Sequence, residues 1–201
     1  MLFQKRQSEV LGWQCLFEAY TGLRTGEALS LRVDARPDEP GGITQDGGSL
    51  CVRRSKNPSR DNPYAQVHDG LEELLSAHKA WHQQRYPNSP RYFPGRDREA
   101  GGHVIKEALT RSLDRLFETK ALKKKFISHG MRAFYVLVRR SHGISDTQIA
   151  WEINHTGGVA TLEAVYGGIP PHWLQGHGPK LSWMPKGKPA WKAMRPLKGK
   201  K

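Results

Sequence analysis

Cysteine is nearly missing from this chain: Cys15 and Cys51 are the only two in 201 residues. Neither stands in the paired spacing of a structural metal site or a disulfide framework, so both are expected to be packing residues. Long apolar runs are missing as well. No stretch approaches the roughly 18 consecutive apolar residues that a membrane-spanning helix needs, and Met1-Leu2-Phe3-Gln4-Lys5-Arg6 lacks the apolar core of a signal peptide. The expectation is a cytoplasmic protein with no membrane association. Acidic side chains are scarce: 19 Asp and Glu stand against 32 Lys and Arg, a formal net charge of +13. Such an excess favours a polyanionic partner, because each neutralised phosphate releases condensed counterions. Nucleic acid is the first candidate and an anionic membrane surface the second. Repeats of solenoid length are also absent.

The charge is unevenly spread. Residues 167 to 201 hold eight Lys or Arg and no acidic residue, so this segment supplies +8 of the +13 and leaves +5 for the rest. Pro170, Pro171, Pro179, Pro185, Pro189 and Pro196 argue against a continuous helix there. Trp173, Trp183 and Trp191 recur among the lysines, either docking on protein while the lysines meet phosphates or belonging to a disordered tail. The length suits one moderate domain plus a tail. The expected division is a domain over residues 1–168 and a basic Pro/Gly/Trp-containing tail over 169–201.

Within the domain, Val10, Trp13, Phe17 and Tyr20 recur at helical spacing and predict an amphipathic helix ending near Gly22. A second helix is expected from Thr25. Leu31-Arg32-Val33, Leu50 to Arg54 and Tyr64 to Val67 read as a small antiparallel sheet, separated by Gly-Gly and Asn-Pro turn signals. Asp69 with Glu72 forms a capping pattern ahead of Leu71, Leu74 and Leu75, and Pro87 and Pro90 close that helix. Val104 to Phe117 carries another apolar stripe. Further helices are expected from near Ser128 to His142-Gly143, from Ser145 to about Asn154, and through Leu162 and Val165 to Gly167. The fold class is therefore mainly α with a small antiparallel β-sheet (α+β).

Three motifs carry the chemistry: Thr21-Gly22-Leu23-Arg24-Thr25-Gly26-Glu27, His129-Gly130-Met131-Arg132, and Asn154-His155 followed by Val165-Tyr166-Gly167. Cleaving a phosphodiester without a metal needs a nucleophile, a cationic clamp on the non-bridging oxygens and an acid for the departing oxygen. Arg24 and Arg132 suit the clamp, since a guanidinium is permanently charged and holds two oxygens at once. His129 and Arg132, three apart at a helix start, would share one face beside a helix N-terminus. Tyr166 suits the nucleophile. Taken singly, each has an ordinary alternative. Arg24 could be a solvated helix charge, Lys56 a surface lysine in a polar turn, Tyr166 a core aromatic, His129 and His155 boundary residues. Their joint occurrence in order is what those alternatives do not predict.

The motifs resemble the catalytic domain of the tyrosine recombinases, the phage integrase family, from roughly Val10 to Tyr166. The resemblance implies a DNA breaking-and-rejoining fold and site-specific recombination or integration of a mobile element through a 3′-phosphotyrosyl intermediate, with neither metal nor ATP. It gives catalytic roles to Arg24, Lys56, His129, Arg132, His155 and Tyr166. Lys56, in the turn Ser55-Lys56-Asn57-Pro58, would protonate the leaving 5′ oxygen; a lysine among cations yields its proton readily. His155 would donate to the phosphate, and Glu27 would orient an active-site group. The implied partner is double-stranded DNA, bound by a homo-tetramer that is monomeric in isolation, with a nucleoid-associated location in a bacterial cell. Relatives also carry a helical core-binding domain before the first arginine, where this chain has 23 residues. That domain is expected to be absent here, and DNA binding in isolation to be weak and salt-sensitive. In relatives the segment after the tyrosine often packs in trans on the next subunit, the role expected for the tail.

Two features differ from many relatives: Ile153-Asn154-His155 stands where Leu-Gly-His is common, and Tyr166 follows His155 by 11 residues, a longer spacing. Other readings of the same residues are a type IB topoisomerase, which relaxes supercoils with a similar residue set, and a DNA-binding remnant that never forms an adduct. A generic RNA-binding module would need an aromatic platform motif, and none is evident.

Overall fold

A computed structural model of the chain describes residues 6–36, 43–46, 49–52, 64–66, 69–95, 106–119, 130–153 and 158–166. The described residues are mostly helical. In chain order they form α1 (Arg6–Thr21), α2 (Thr25–Leu29), β1 (Ile43–Asp46), β2 (Ser49–Val52), β3 (Tyr64–Gln66), α3 (Asp69–Arg85), α4 (Lys106–Glu118), α5 (Gly130–Ser141), α6 (Asp146–Glu152) and α7 (Gly158–Tyr166). The short strands pair antiparallel in the order β1-β2-β3, with Ile43 opposite Val52 and Leu50 opposite Ala65.

α1 is the central element. Val10, Trp13, Phe17 and Tyr20 are buried as their helical spacing requires. The stripe Gln14, Glu18, Thr21 is buried too, and no residue from Glu9 to Leu23 is exposed. The amphipathic helix expected from the sequence is therefore wrapped on all sides, because α1 packs against α2, α3 and α5. Two of its buried polar groups pair, Gln14 Nε2 donating to Glu18 Oε1 at 2.8 Å, and Thr25 Oγ1 of α2 donates to Glu18 Oε2 at 3.2 Å. Burial is the main reason the Glu18 carboxyl is pushed up to about 7. Cys15 packs in the same helix, and burial, assisted by Glu18, pushes its thiol up to about 12, the state of an inert packing cysteine.

α3 meets α1 through aromatic rings. His78 stacks on Tyr92 with centroids 4.0 Å apart and lies edge-on to Trp13 and Phe93. Beyond α3, Pro87 stands in a turn closed by the Ser89 amide donating to the Tyr86 carbonyl at 3.0 Å, and the backbone from Pro90 pairs with the segment after α2. The Val33 amide donates to the Pro90 carbonyl at 2.9 Å, and the Tyr92 amide to the Leu31 carbonyl at 3.1 Å. Leu31-Arg32-Val33, expected as a strand of the sheet, is instead an isolated antiparallel bridge of Arg32 to Arg91. The extended backbone was legible, whereas its partner was set by the nearest unpaired groups.

α5 lays Arg132, Tyr135, Val136 and Val138 into the core. It ends at Gly143, whose φ of 77° lets the Ile144 amide reach back to the Arg139 carbonyl. Ser145 caps α6, its hydroxyl accepting from the Gln148 amide at 3.3 Å. A bidentate Arg140–Asp146 pair, at 2.7 and 3.0 Å, fastens the two helices at their rim. α7 packs on α5 and α6, with Leu162 and Tyr166, one turn apart, both buried. Among the described residues no helix is long and apolar enough to cross a membrane.

Candidate functional site

The site forms where the end of α1, the start of α5, the end of α6 and the end of α7 converge on one guanidinium. Arg132 is 1% exposed. Its Nε donates to the Tyr166 hydroxyl at 3.0 Å, its Nη1 to the Gly22 carbonyl at 2.7 Å, and its Nη2 to the Ile153 carbonyl. Three of its five N–H donors thus diverge to three chain segments, a fork that lysine could not reproduce. Burial lowers Arg132 to about 10, with Arg24 as a further lowering charge, while Tyr166 and Glu27 oppose the fall. The guanidinium remains charged at neutral pH.

Each contact has a local cause. α1 ends as the Gly22 amide donates to the Glu18 carbonyl at 2.8 Å. The chain then turns through a left-handed residue, Gly22, with φ 65°. The turn is also tight: a Cβ there would lie 2.7 Å from Ile153 Cγ2 and 2.8 Å from Tyr135 Cδ1. Glycine is therefore required twice, and its carbonyl faces Arg132. Thr21 Oγ1 supports the turn by donating to the Phe17 carbonyl at 2.7 Å and accepting from the Leu23 amide at 3.3 Å.

Arg24 is the N-cap of α2, with an exposed side chain. Glu27, one turn later, accepts from the Arg24 backbone amide at 2.8 Å and from Arg24 Nη1 at 3.0 Å. Its Oε2 also lies 4.0 Å from Arg132 Nη1, so one carboxylate neighbours both arginines. The structure brings Arg24, Glu27, Arg132 and Tyr166 together. Lys56, His129 and His155 lie outside the described residues, as do Arg53, Arg54 and residues 167–201. Among the described residues no group of three or more His, Cys, Asp or Glu could hold a metal ion.

Sequence reasoning missed the carbonyl acceptors at Gly22 and Ile153, since a backbone group leaves no mark in the residue alphabet. It also missed a buried cluster behind the site. Glu152, fully buried, accepts from Tyr135 Oη at 2.8 Å, from Arg139 Nε at 3.0 Å and Nη2 at 2.5 Å, and from Gln148 Nε2 at 3.1 Å. The spacing Arg132, Tyr135, Arg139 on one helical face was the available signal.

No family profile matches this sequence, and no curated protein matches it either. Solved structures do share its fold. The crystal structure of XerA recombinase aligns over 84% of this chain and 61% of its own, at a TM-score of 0.58 and 16% identity. The XerH site-specific recombinase bound to difH substrate, in a pre-cleavage complex, aligns over 86% of this chain and 47% of its own, at 0.56 and 16%. Its post-cleavage complex with palindromic difH substrate aligns over 89% and 46%, at 0.56 and 14%. The chain spans 46–61% of the length of these structures. Its fold resembles the tyrosine recombinase catalytic domain.

Proposed function

We propose that this chain is the catalytic domain of a tyrosine-type site-specific recombinase, an integrase of a mobile element that cuts and rejoins duplex DNA. The observation that carries the proposal is the 3.0 Å hydrogen bond from Arg132 Nε to the Tyr166 hydroxyl. It joins two motifs 34 residues apart and is anchored on the carbonyl of a third, Gly22. An unrelated arrangement of the same residues would have no reason to place them on one another. The fold likeness to XerA and to the substrate-bound XerH complexes supports the same reading.

In this proposal the Tyr166 oxygen attacks the phosphorus of a scissile phosphodiester. The new P–O(Tyr) bond forms as the P–O5′ bond breaks, the tyrosyl proton passes to a base, and the 5′ oxygen takes a proton from Lys56. Arg24 and Arg132 meet the charge on the non-bridging oxygens, with His129 and His155 as further donors and Glu27 holding both arginines in place. Rejoining is the reverse displacement. There the tyrosyl oxygen is the leaving group, and the Arg132 N–H compensates its developing charge. The phosphotyrosyl bond stores the energy of the cut, so neither ATP nor a metal takes part. Residues 1–168 would form this domain, 169–201 a basic tail that docks on a neighbouring protomer, and the working assembly a tetramer on DNA in the cytoplasm.

The test is a covalent trap. The protein is incubated with nicked or supercoiled duplex DNA, denatured, and examined for DNA attached to protein, with Tyr166→Phe as control. An adduct abolished in Tyr166→Phe supports the proposal. Salt-dependent DNA binding with no adduct, also after an N-terminal DNA-clamping domain is supplied, would mark the chain as a non-catalytic binding protein.

A further inference from the structure

We infer that Glu152 is a positioning residue for the site: a buried carboxylate that sets the Arg132 guanidinium against Tyr166 without touching either. The functional part of this inference rests on the recombinase reading above. Glu152 is fully buried, and its two oxygens receive four donors, two of them from Arg139. Every lone-pair direction of the carboxylate is thereby occupied. Such a cluster adds little stability over an apolar pair of the same volume, so stability alone does not account for it.

The cluster fixes two of the three Arg132 acceptors. Ile153, the residue after Glu152, is the C-cap of α6 with φ −90° and ψ 6°, and its carbonyl receives Arg132 Nη2. Pinning the Glu152 side chain to α5 through Tyr135 and Arg139 therefore sets the position of that carbonyl relative to the same helix. Tyr135, held by its hydroxyl, packs its ring closely against Gly22, whose carbonyl receives Arg132 Nη1. Arg132, Tyr135 and Arg139 lie on one face of α5 at spacings of three and four residues. A rotation or slide of α6 along α5 would move the Ile153 carbonyl and redirect the guanidinium away from Tyr166. The Arg140–Asp146 pair joins the same two helices at the end of α6 opposite to Ile153, which makes it the matched control.

The experiment measures solvent exchange of the Arg132 Nε proton by NMR, together with the single-turnover rate of adduct formation at saturating duplex DNA. Wild type is compared with Glu152→Gln, Tyr135→Phe and Asp146→Asn. Glu152→Gln and Tyr135→Phe should each speed Arg132 Nε exchange by about tenfold or more and slow adduct formation by a similar factor, with DNA affinity unchanged. Asp146→Asn should alter neither. Unchanged exchange in folded Glu152→Gln would overturn the inference, as would equal acceleration in Asp146→Asn, which would assign the effect to helix docking in general. If Glu152→Gln does not fold, Tyr135→Phe, which keeps the ring and removes one hydroxyl, decides. An absence of adduct in wild type, also with an N-terminal DNA-clamping domain supplied, would defeat the recombinase reading, while the exchange comparison would still decide the role of Glu152.

Discussion

Replacing Gly22 by alanine should damage the protein more than the same change at Gly26 or Gly143. Two terms add. A left-handed φ of 65° strains an L-residue by roughly 1–2 kcal/mol. The added Cβ would sit 2.7 Å from Ile153 Cγ2 and 2.8 Å from Tyr135 Cδ1. Neither neighbour can retreat easily: both residues are fully buried, and the Tyr135 hydroxyl is tied to Glu152. Forcing such an overlap in a packed core costs about 1–3 kcal/mol, so the sum is roughly 2–5 kcal/mol. With a urea slope of about 2 kcal/mol per molar, the midpoint should fall by about 1–2.5 M. Two other glycines separate the terms. Gly143 has φ 77° and open space around it, so Gly143→Ala should show the strain alone, roughly 1–2 kcal/mol. Gly26 has neither a left-handed φ nor a close neighbour, and Gly26→Ala in α2 should gain up to about 1 kcal/mol. A Gly22→Ala variant no less stable than Gly143→Ala would refute the close approach of the α1 turn to Tyr135 and Ile153.

Arg132→Lys should reduce adduct formation by about a hundredfold or more, because an ammonium cannot span three divergent acceptors, whereas duplex-DNA affinity should change little; equal losses in both would contradict the placement. Glu18 should make stability fall as pH rises. Its folded-state carboxyl, at about 7, lies above the unfolded value, so its contribution is complete below pH ~4.5 and lost through about pH 7, amounting to about 3 kcal/mol. Urea titrations of wild type and Glu18→Gln across pH 5 to 8 check this, and parallel curves would contradict it. His78 works in the opposite sense: desolvation, aided by His82, holds it well below its usual value, so stability should fall on acidification below about pH 6.5, and His78→Phe should flatten that limb. Affinity for duplex DNA should weaken by at least about tenfold between 50 and 200 mM salt, and a flat salt profile would remove the phosphate-binding premise.

What the sequence disclosed and what it hid follow physical lines. Helices whose apolar residues recur at 3.6 spacing were legible, and so were their ends where glycine, proline or serine forced a break: Gly22, Gly143, Ser145 and Pro87 all stand at boundaries. The meeting of Arg24, Glu27, Arg132 and Tyr166 was legible because the short motifs that hold them stand out together in the sequence. Glu18 and Glu152 were not, since a carboxylate is ordinarily read as solvated, and only the tertiary packing of α1, α5 and α6 shows them enclosed. The backbone acceptors for Arg132 were equally hidden, although Gly22 was marked as a turn. Leu31-Arg32-Val33 shows the remaining gap: extended propensity is local, but the strand or bridge it joins depends on which backbone groups lie nearby.

The most direct test of the account is to identify the residue that carries the DNA. A covalent species trapped on nicked duplex would be digested with protease and nuclease, and the nucleotide-bearing peptide read by mass spectrometry. A phosphonucleotide is expected on Tyr166 and none in Tyr166→Phe. A linkage to any other side chain, or an adduct that survives in Tyr166→Phe, would contradict it.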